Sequence, residues 1–148
     1  GPLGECCHVA GEPDRPLLLA GTGTGLAPLW GVLRSALQAG HAAPIHLYHA
    51  AAEPAELYLW QAMADVAEAH PQIRIGASVA EGQGADPRID AAPLAERVLA
   101  AAPSLPQPRV YLCGNPDFVR GLRRQMYLAG TPLDRIHADP FVPPAAGR

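Results

Sequence analysis

Residues 17–28 read LLLAGTGTGLAP, an apolar run followed by glycines that alternate with threonines and then by a proline. The turn formed by Gly21, Thr22, Gly23, Thr24 and Gly25 has the composition of an anion cradle, because glycine lets the backbone approach a ligand closely. A helix that starts beside Leu26 and Ala27, with Pro28 in its first turn, would point free backbone N–H groups and the positive end of its dipole at that turn. This arrangement suits a pyrophosphate. The plainer reading is a tight strand-to-helix connection without a ligand, but five small residues in a row exceed what such a turn requires.

A second segment with chemical character is YLCGNPDF, residues 111–118. Here the thiol of Cys113 ends an apolar strand, Gly114 turns the chain, and Asn115 and Pro116 have the types of a helix N-cap and first helical residue. Taken alone, Cys113 reads equally well as a buried structural cysteine.

Other chemistries are excluded by residue type. The eleven basic side chains are all arginine, which removes the lysine of a P-loop or a Schiff base. Ser35, Ser78 and Ser104 lie outside any GxSxG elbow, so a serine hydrolase has no nucleophile. The three cysteines, two of them adjacent at Cys6 and Cys7, form neither a CxxC motif nor a disulfide framework, and they suit a reducing cytoplasm. No histidine pair has ligand spacing, so a metal site is not expected. A net charge of -3 without a basic cluster gives no reason to expect nucleic acid or an anionic membrane as partner. No apolar stretch approaches the roughly 20 residues of a membrane span.

The elements that must hold the two turns follow from hydrophobic periodicity. Strands are expected at residues 17–20, 44–49, 72–79, 109–113 and 135–139, with helices at 27–38, 55–70, 92–101 and from 116 to a stop at Gly130. Leu26, Trp30, Leu33 and Leu37 form the expected core stripe of the first helix, and residues 81–90 a loop at the rim. Strands alternating with helices predict an α/β fold, a doubly wound parallel five-stranded sheet covered on both faces. Tyr48 is the other aromatic near the predicted strand ends.

The first turn departs from the GxGxxG fingerprint, because position 26 is Leu26 rather than glycine. Taken together, GTGTGLAP, YLCGNPDF and the ADPF at residues 138–141 resemble the nucleotide-binding half of the ferredoxin-NADP reductase family, in order and across nearly the whole chain. The resemblance implies that Gly21, Thr22, Gly23, Thr24, Gly25, Leu26, Ala27 and Pro28 hold the pyrophosphate of NAD(P)H. It also implies that Cys113 and Gly114 lie under the nicotinamide, that Asn115 and Pro116 border the same pocket, and that Phe141 lies near the nicotinamide or flavin. FAD belongs to a separate barrel in that family, and the expected partners are this flavin-binding domain and an electron acceptor such as an iron-sulfur or haem protein. Alone, the chain is expected to bind nucleotide without turnover.

Family members often carry an arginine after the second strand, whereas this chain reads His49-Ala50-Ala51-Ala52-Glu53. Glu53 could accept hydrogen bonds from the ribose hydroxyls of NAD, which tilts the expectation toward NADH; Arg74, Arg88 or Ser78 could still reach a 2′-phosphate from neighbouring loops. Residues 1–14, opening with GPLG, read as a boundary from a flavin-binding domain or in part as a tag remnant, and residues 15–148 as the nucleotide-binding domain. Two other readings stay open: a non-catalytic nucleotide-sensing or partner-docking module of the same fold, and a phosphate-binding transferase, which lacks an obvious base.

Overall fold

Leu17, Leu18 and Leu19 form the centre of β1 (Leu17–Thr22), and consecutive buried side chains are what a strand covered on both faces requires. The computed structural model describes residues 7–82 and 86–141; Gly1 to Gly4 and Cys6 lie outside them. From β1 the chain passes through α1 (Leu26–Gln38) to β2 (Ile45–Ala51), then α2 (Trp60–Ala69) and β3 (Ile73–Val79). It continues through β4 (Ile89–Asp90), α3 (Leu94–Ala101), β5 (Arg109–Gly114) and α4 (Pro116–Leu128) to β6 (Ile136–Pro140).

The sheet order is β4-β3-β2-β1-β5-β6, with every neighbouring pair parallel. Successive strands are added outward from β1 to β4, after which the chain crosses back to lay β5 on the other side of β1. That reversal opens a crevice at the carboxyl ends of β1 and β5, where ligands bind in open α/β sheets.

The two faces of the sheet have separate cores. Leu26, Leu29 and Leu33 of α1 and Met63 of α2 pack on Leu19, Leu47 and Tyr111. On the opposite face Val98 of α3 and Val119, Leu122 and Met126 of α4 pack on Leu18, Val110 and Leu112. The buried stripe of α1 is Leu26, Leu29, Val32, Leu33 and Ala36, while Trp30 and Leu37 sit half-buried at its margin. The expected stripe was therefore displaced toward one side of the helix.

The sheet has six strands rather than five. Ile89–Asp90 falls within the segment expected to be loop, and two residues are too few to carry an alternation. The Arg97 guanidinium holds the short strand in place by donating to the carbonyls of Ala77 and Arg88. The expected helix at 55–70 is likewise split: a 3-10 turn at Pro54–Glu56 precedes α2, and Leu57 is buried between them.

Three buried histidines make the fold acid-sensitive. Burial pushes the imidazoles of His41, His46 and His49 below their ordinary range; positive neighbours add to this at His41 and His46, whereas a hydrogen bond to the Gly23 carbonyl opposes it at His49. Each is neutral in the fold but titrates at about pH 6.5 once unfolded. The unfolded chain thus binds more protons below that pH, and stability is complete above it and lost as pH falls through the lowered folded values. Each histidine contributes a slope of at most about 1.4 kcal/mol per pH unit. Urea midpoints should be lower at pH 5.5 than at pH 7.5, and equal midpoints would refute the assignment.

Candidate functional site

At the end of β1 the chain enters a 3-10 turn, Gly23–Gly25, and runs directly into α1. Gly25 is the N-cap of α1, and no side chain caps that helix. The Leu26 amide already donates to the Thr24 carbonyl and Pro28 carries no N–H, so of the first three residues of α1 only Ala27 has an amide not assigned to the turn. Gly23 has a φ of +54° and open space where a side chain would stand. The conformation that glycine permits here keeps the rim of the turn clear.

The glycine turn is joined to the second turn at several points. Thr22 Oγ1 accepts a hydrogen bond of 2.7 Å from the Asn115 amide, while Asn115 Oδ1 accepts from the amides of Asp117 and Phe118 and so caps α4. A Cβ on Gly25 would lie 2.6 Å from the Cys113 carbonyl oxygen, and one on Gly114, whose φ is +123°, would lie 2.2 Å from Thr22 Oγ1. The end of β6 closes against the same turn, with the Phe141 amide donating to the Gly114 carbonyl at 2.7 Å. Both glycine-bearing turns and Phe141 therefore meet at the crevice between β1 and β5.

A cleft of about 670 Å³ opens beside this junction, bounded by Thr22, Gly23 and Thr24 on one side and by Ala50, Ala51, Ala52 and Ala80 on the other. Asn115 and Phe118 form its floor toward α4, and Glu56 and Tyr58 close it toward α2. The remaining predicted residues divide. Gly21 is buried in the sheet between His49 and Cys113, Ala27 is exposed and Pro28 half-buried at the start of α1, and Pro116 is half-buried as the first residue of α4. The Leu26 side chain is fully buried in the core, which leaves only its backbone to face a ligand. Cys113 is also fully buried, with Phe141 packed against the same cluster, so its thiol does not line the cleft.

The polar candidates after β2 and β3 are placed differently from expectation. Glu56 Oε1 accepts a hydrogen bond of 3.1 Å from the Glu53 amide in a capping box, and it is Glu56 rather than Glu53 that borders the cleft. Ser78 is buried in β3 away from the cleft lining, with its hydroxyl lacking a hydrogen-bond partner. Arg74 and Arg88 border a separate cleft near the β3 edge of the sheet, beside Arg97. Arg88 is paired there with Asp86, whose carboxyl is held down at about 2, first by the Arg88 side-chain hydrogen bond, and its guanidinium lies over Trp60. Tyr48 packs beneath Arg97 and bonds to His46 rather than reaching the crevice.

Sequence reasoning missed two residues under the glycine turn. His49 is fully buried, and its Nε2 lies 2.9 Å from the Gly23 carbonyl oxygen. A carbonyl only accepts, so Nε2 carries the proton and the neutral ring holds Gly23 in place. Tyr58 meets His49 edge-on with ring centroids 5.6 Å apart and is 51% exposed toward the cleft. The visible signal for His49 was its position, in register with Gly21 one strand away. Tyr58 had none, because it stands outside regular structure between the 3-10 turn and α2. Among the described residues no group of His, Cys, Asp and Glu side chains could hold a metal ion, and no helix is long and apolar enough to cross a membrane.

A glycine-bearing strand-to-helix turn beside a cleft at the switch point of a parallel sheet is the arrangement of a dinucleotide-binding α/β domain. The chain belongs to the oxidoreductase NAD-binding domain family, whose model matches residues 19–124. Two curated relatives are reductase components. The chain is 34% identical over 148 residues to the ferredoxin–NAD(P)(+) reductase component of the naphthalene 1,2-dioxygenase system of Pseudomonas putida, covering 97% of this chain and 43% of that protein. It is 33% identical over 143 residues to the corresponding component of the naphthalene 1,2-dioxygenase/salicylate 5-hydroxylase systems of a Ralstonia species, with the same coverage of 97% and 43%.

Solved structures agree. An Amycolatopsis cytochrome P450 reductase superposes with a TM-score of 0.78 at 30% identity, over 90% of this chain and 39% of that one. A ferredoxin NADP+ reductase from Neisseria gonorrhoeae with bound FAD and NADP shares the fold, with a TM-score of 0.71 at 19% identity over 86% of this chain and 57% of that one. The chain spans about two-fifths of the length of these curated relatives. It is the NAD-binding domain of a ferredoxin reductase-type oxidoreductase, as the resemblance implied.

Proposed function

We propose that this domain binds NADH and presents the nicotinamide to FAD held by a separate flavin-binding domain of the same protein, for onward transfer to an electron-transfer protein. The observation that carries the reading is the glycine turn that leads from β1 into α1, open to the cleft at Thr22, Gly23 and Thr24 and fixed against Cys113-Gly114-Asn115. Residues 15–148 form the unit that binds the dinucleotide. Within it, the backbone of Gly21 to Pro28 holds the pyrophosphate, and Gly114, Asn115 and Pro116 border the nicotinamide. Cys113 supports this ring from below through packing, and Phe141, tied to Gly114, orients it toward the flavin. Reduced nicotinamide, when bound, supplies a hydride from its C4. The protein's contribution is position and exclusion of water, since neither turn carries a group suited to proton transfer.

Glu56 supports NADH over NADPH. Its carboxylate is the charged side chain at the cleft, where it can accept hydrogen bonds from ribose hydroxyls and would repel a 2′-phosphate, and Arg74 and Arg88 face elsewhere. The relatives named as reductase components of dioxygenase systems support an iron-sulfur or haem acceptor, and the free thiols Cys7 and Cys113 suit the cytoplasm.

Calorimetric titration with both dinucleotides tests the reading. NADH should bind with measurable heat and NADPH at least tenfold more weakly, about 1.4 kcal/mol. The chain alone should not oxidise NADH with added ferricyanide. Absence of binding by either dinucleotide at millimolar concentration would overturn the assignment.

A further inference from the structure

His49 ties the glycine turn to the sheet beneath it. Its ring is fully buried in β2, in register with Gly21, and its Nε2 lies 2.9 Å from the Gly23 carbonyl oxygen. Nδ1 is buried without a hydrogen-bond partner, so the tautomer with its proton on Nε2 makes the bond and leaves no buried donor unmet. In a planar trans peptide the carbonyl and the following N–H point in opposite directions. A Gly23 carbonyl turned down to His49 therefore turns the Thr24 N–H away from the ring, and the peptide is trans. Thr24 is exposed and lines the cleft together with Thr22 and Gly23.

We infer that His49 is a positioning residue for the dinucleotide: it fixes the Gly23–Thr24 peptide in the orientation that presents the Thr24 amide to the pyrophosphate. This rests on the reading of the glycine turn as the pyrophosphate site. Gly23, at a φ of +54° and with open space where a Cβ would stand, has no side chain to hold that peptide in one orientation. Freed from its anchor, the peptide can rotate and bring the carbonyl oxygen outward, where its negative end would face the phosphate. The bond to His49 removes that alternative. It also strengthens the donor, because a carbonyl that accepts a hydrogen bond polarises the N–H sharing its peptide. Tyr58, which borders the cleft, meets the imidazole edge-on with ring centroids 5.6 Å apart and helps to hold it under the turn. His49 does not itself line the cleft, so it acts through the backbone of the turn.

Two variants test this. His49→Leu removes the donor and keeps the position filled by an apolar side chain, whereas His49→Gln returns an N–H donor at similar reach. Isothermal titration should show NADH binding His49→Leu roughly three- to tenfold more weakly than the unaltered chain, the size of one hydrogen bond, with His49→Gln recovering most of the loss. In amide NMR spectra, inorganic pyrophosphate should move the Thr24 resonance of the unaltered chain and of His49→Gln, and move that of His49→Leu much less. Equal NADH affinity in folded His49→Leu, or a weakening that His49→Gln does not recover, would assign His49 to packing alone; the positioning role is then overturned and the pyrophosphate site survives. The unaltered chain offers a check that needs no variant: the imidazole nitrogen shifts of His49 should report a proton on Nε2 and none on Nδ1, and the opposite tautomer overturns the role. If the unaltered chain binds neither NADH nor pyrophosphate, the reading of the turn fails and this inference with it.

Discussion

Gly25→Ala should cost the domain at least about 3 kcal/mol and abolish NADH binding at concentrations that saturate the unaltered chain. The added methyl would lie 2.6 Å from the Cys113 carbonyl oxygen and 2.7 Å from Gly114 Cα, both backbone atoms of a central strand. Neither can step aside as the tip of a flexible side chain would. The clash must be relieved by lifting the start of α1 away from β5, which breaks the junction that aims its amides. For a domain of this size the melting temperature should fall by roughly 6–12 °C. Gly31→Ala is the matched control, because its methyl would enter open space on the same helix and helix propensity favours alanine by about 1 kcal/mol. Equal melting temperatures for Gly25→Ala and the unaltered chain would show that the two turns are not rigidly apposed.

Leu26→Ala separates a core role from a ligand role at the position where the GxGxxG fingerprint has glycine. The side chain is fully buried in the cluster between α1, α2 and the sheet, so truncation should cost about 2–5 kcal/mol. Since only its backbone faces the turn, NADH affinity of the folded fraction should change by less than about threefold, well below 1 kcal/mol. Urea unfolding checks the first expectation and titration below the transition checks the second. A loss of affinity at unchanged stability would mean that the leucine side chain itself contacts the nucleotide.

The parts of this fold that were legible in the sequence are those where one local signal decides the structure. Consecutive leucines at 17–19 specify a strand buried on both faces, and Asn115-Pro116 specifies a capped helix start wherever it is placed. The glycine turn was legible for the same reason. What the sequence hid depends on distant pairing. Ile89–Asp90 becomes a strand only because the β3 edge and Arg97 receive it, and Glu56 rather than Glu53 comes to the cleft because the chain turns through a 3-10 helix at Pro54–Glu56. Ser78 is two residues before the cleft-lining Ala80 yet buried, since it lies within β3, where the sheet is covered, whereas Ala80 lies beyond the end of the strand. His49 looked like one histidine among six, and its contact with Gly23 exists only once β2 lies in register beside β1.

The bond between Thr22 and Asn115 spans 93 positions of the chain, and it has a bearing on when the site comes into being. Every strand from β1 to β4 can pair before β5 is placed, but the crevice has only one wall until β5 inserts beside β1. Contacts of such long sequence separation form late because the closure of the intervening loop must come first. A growing chain would therefore acquire nucleotide affinity only after residue 115 has emerged and docked. Nucleotide would then bind the finished state alone and raise its population by mass action, which makes NADH a ligand that protects the folded domain from heat and proteolysis.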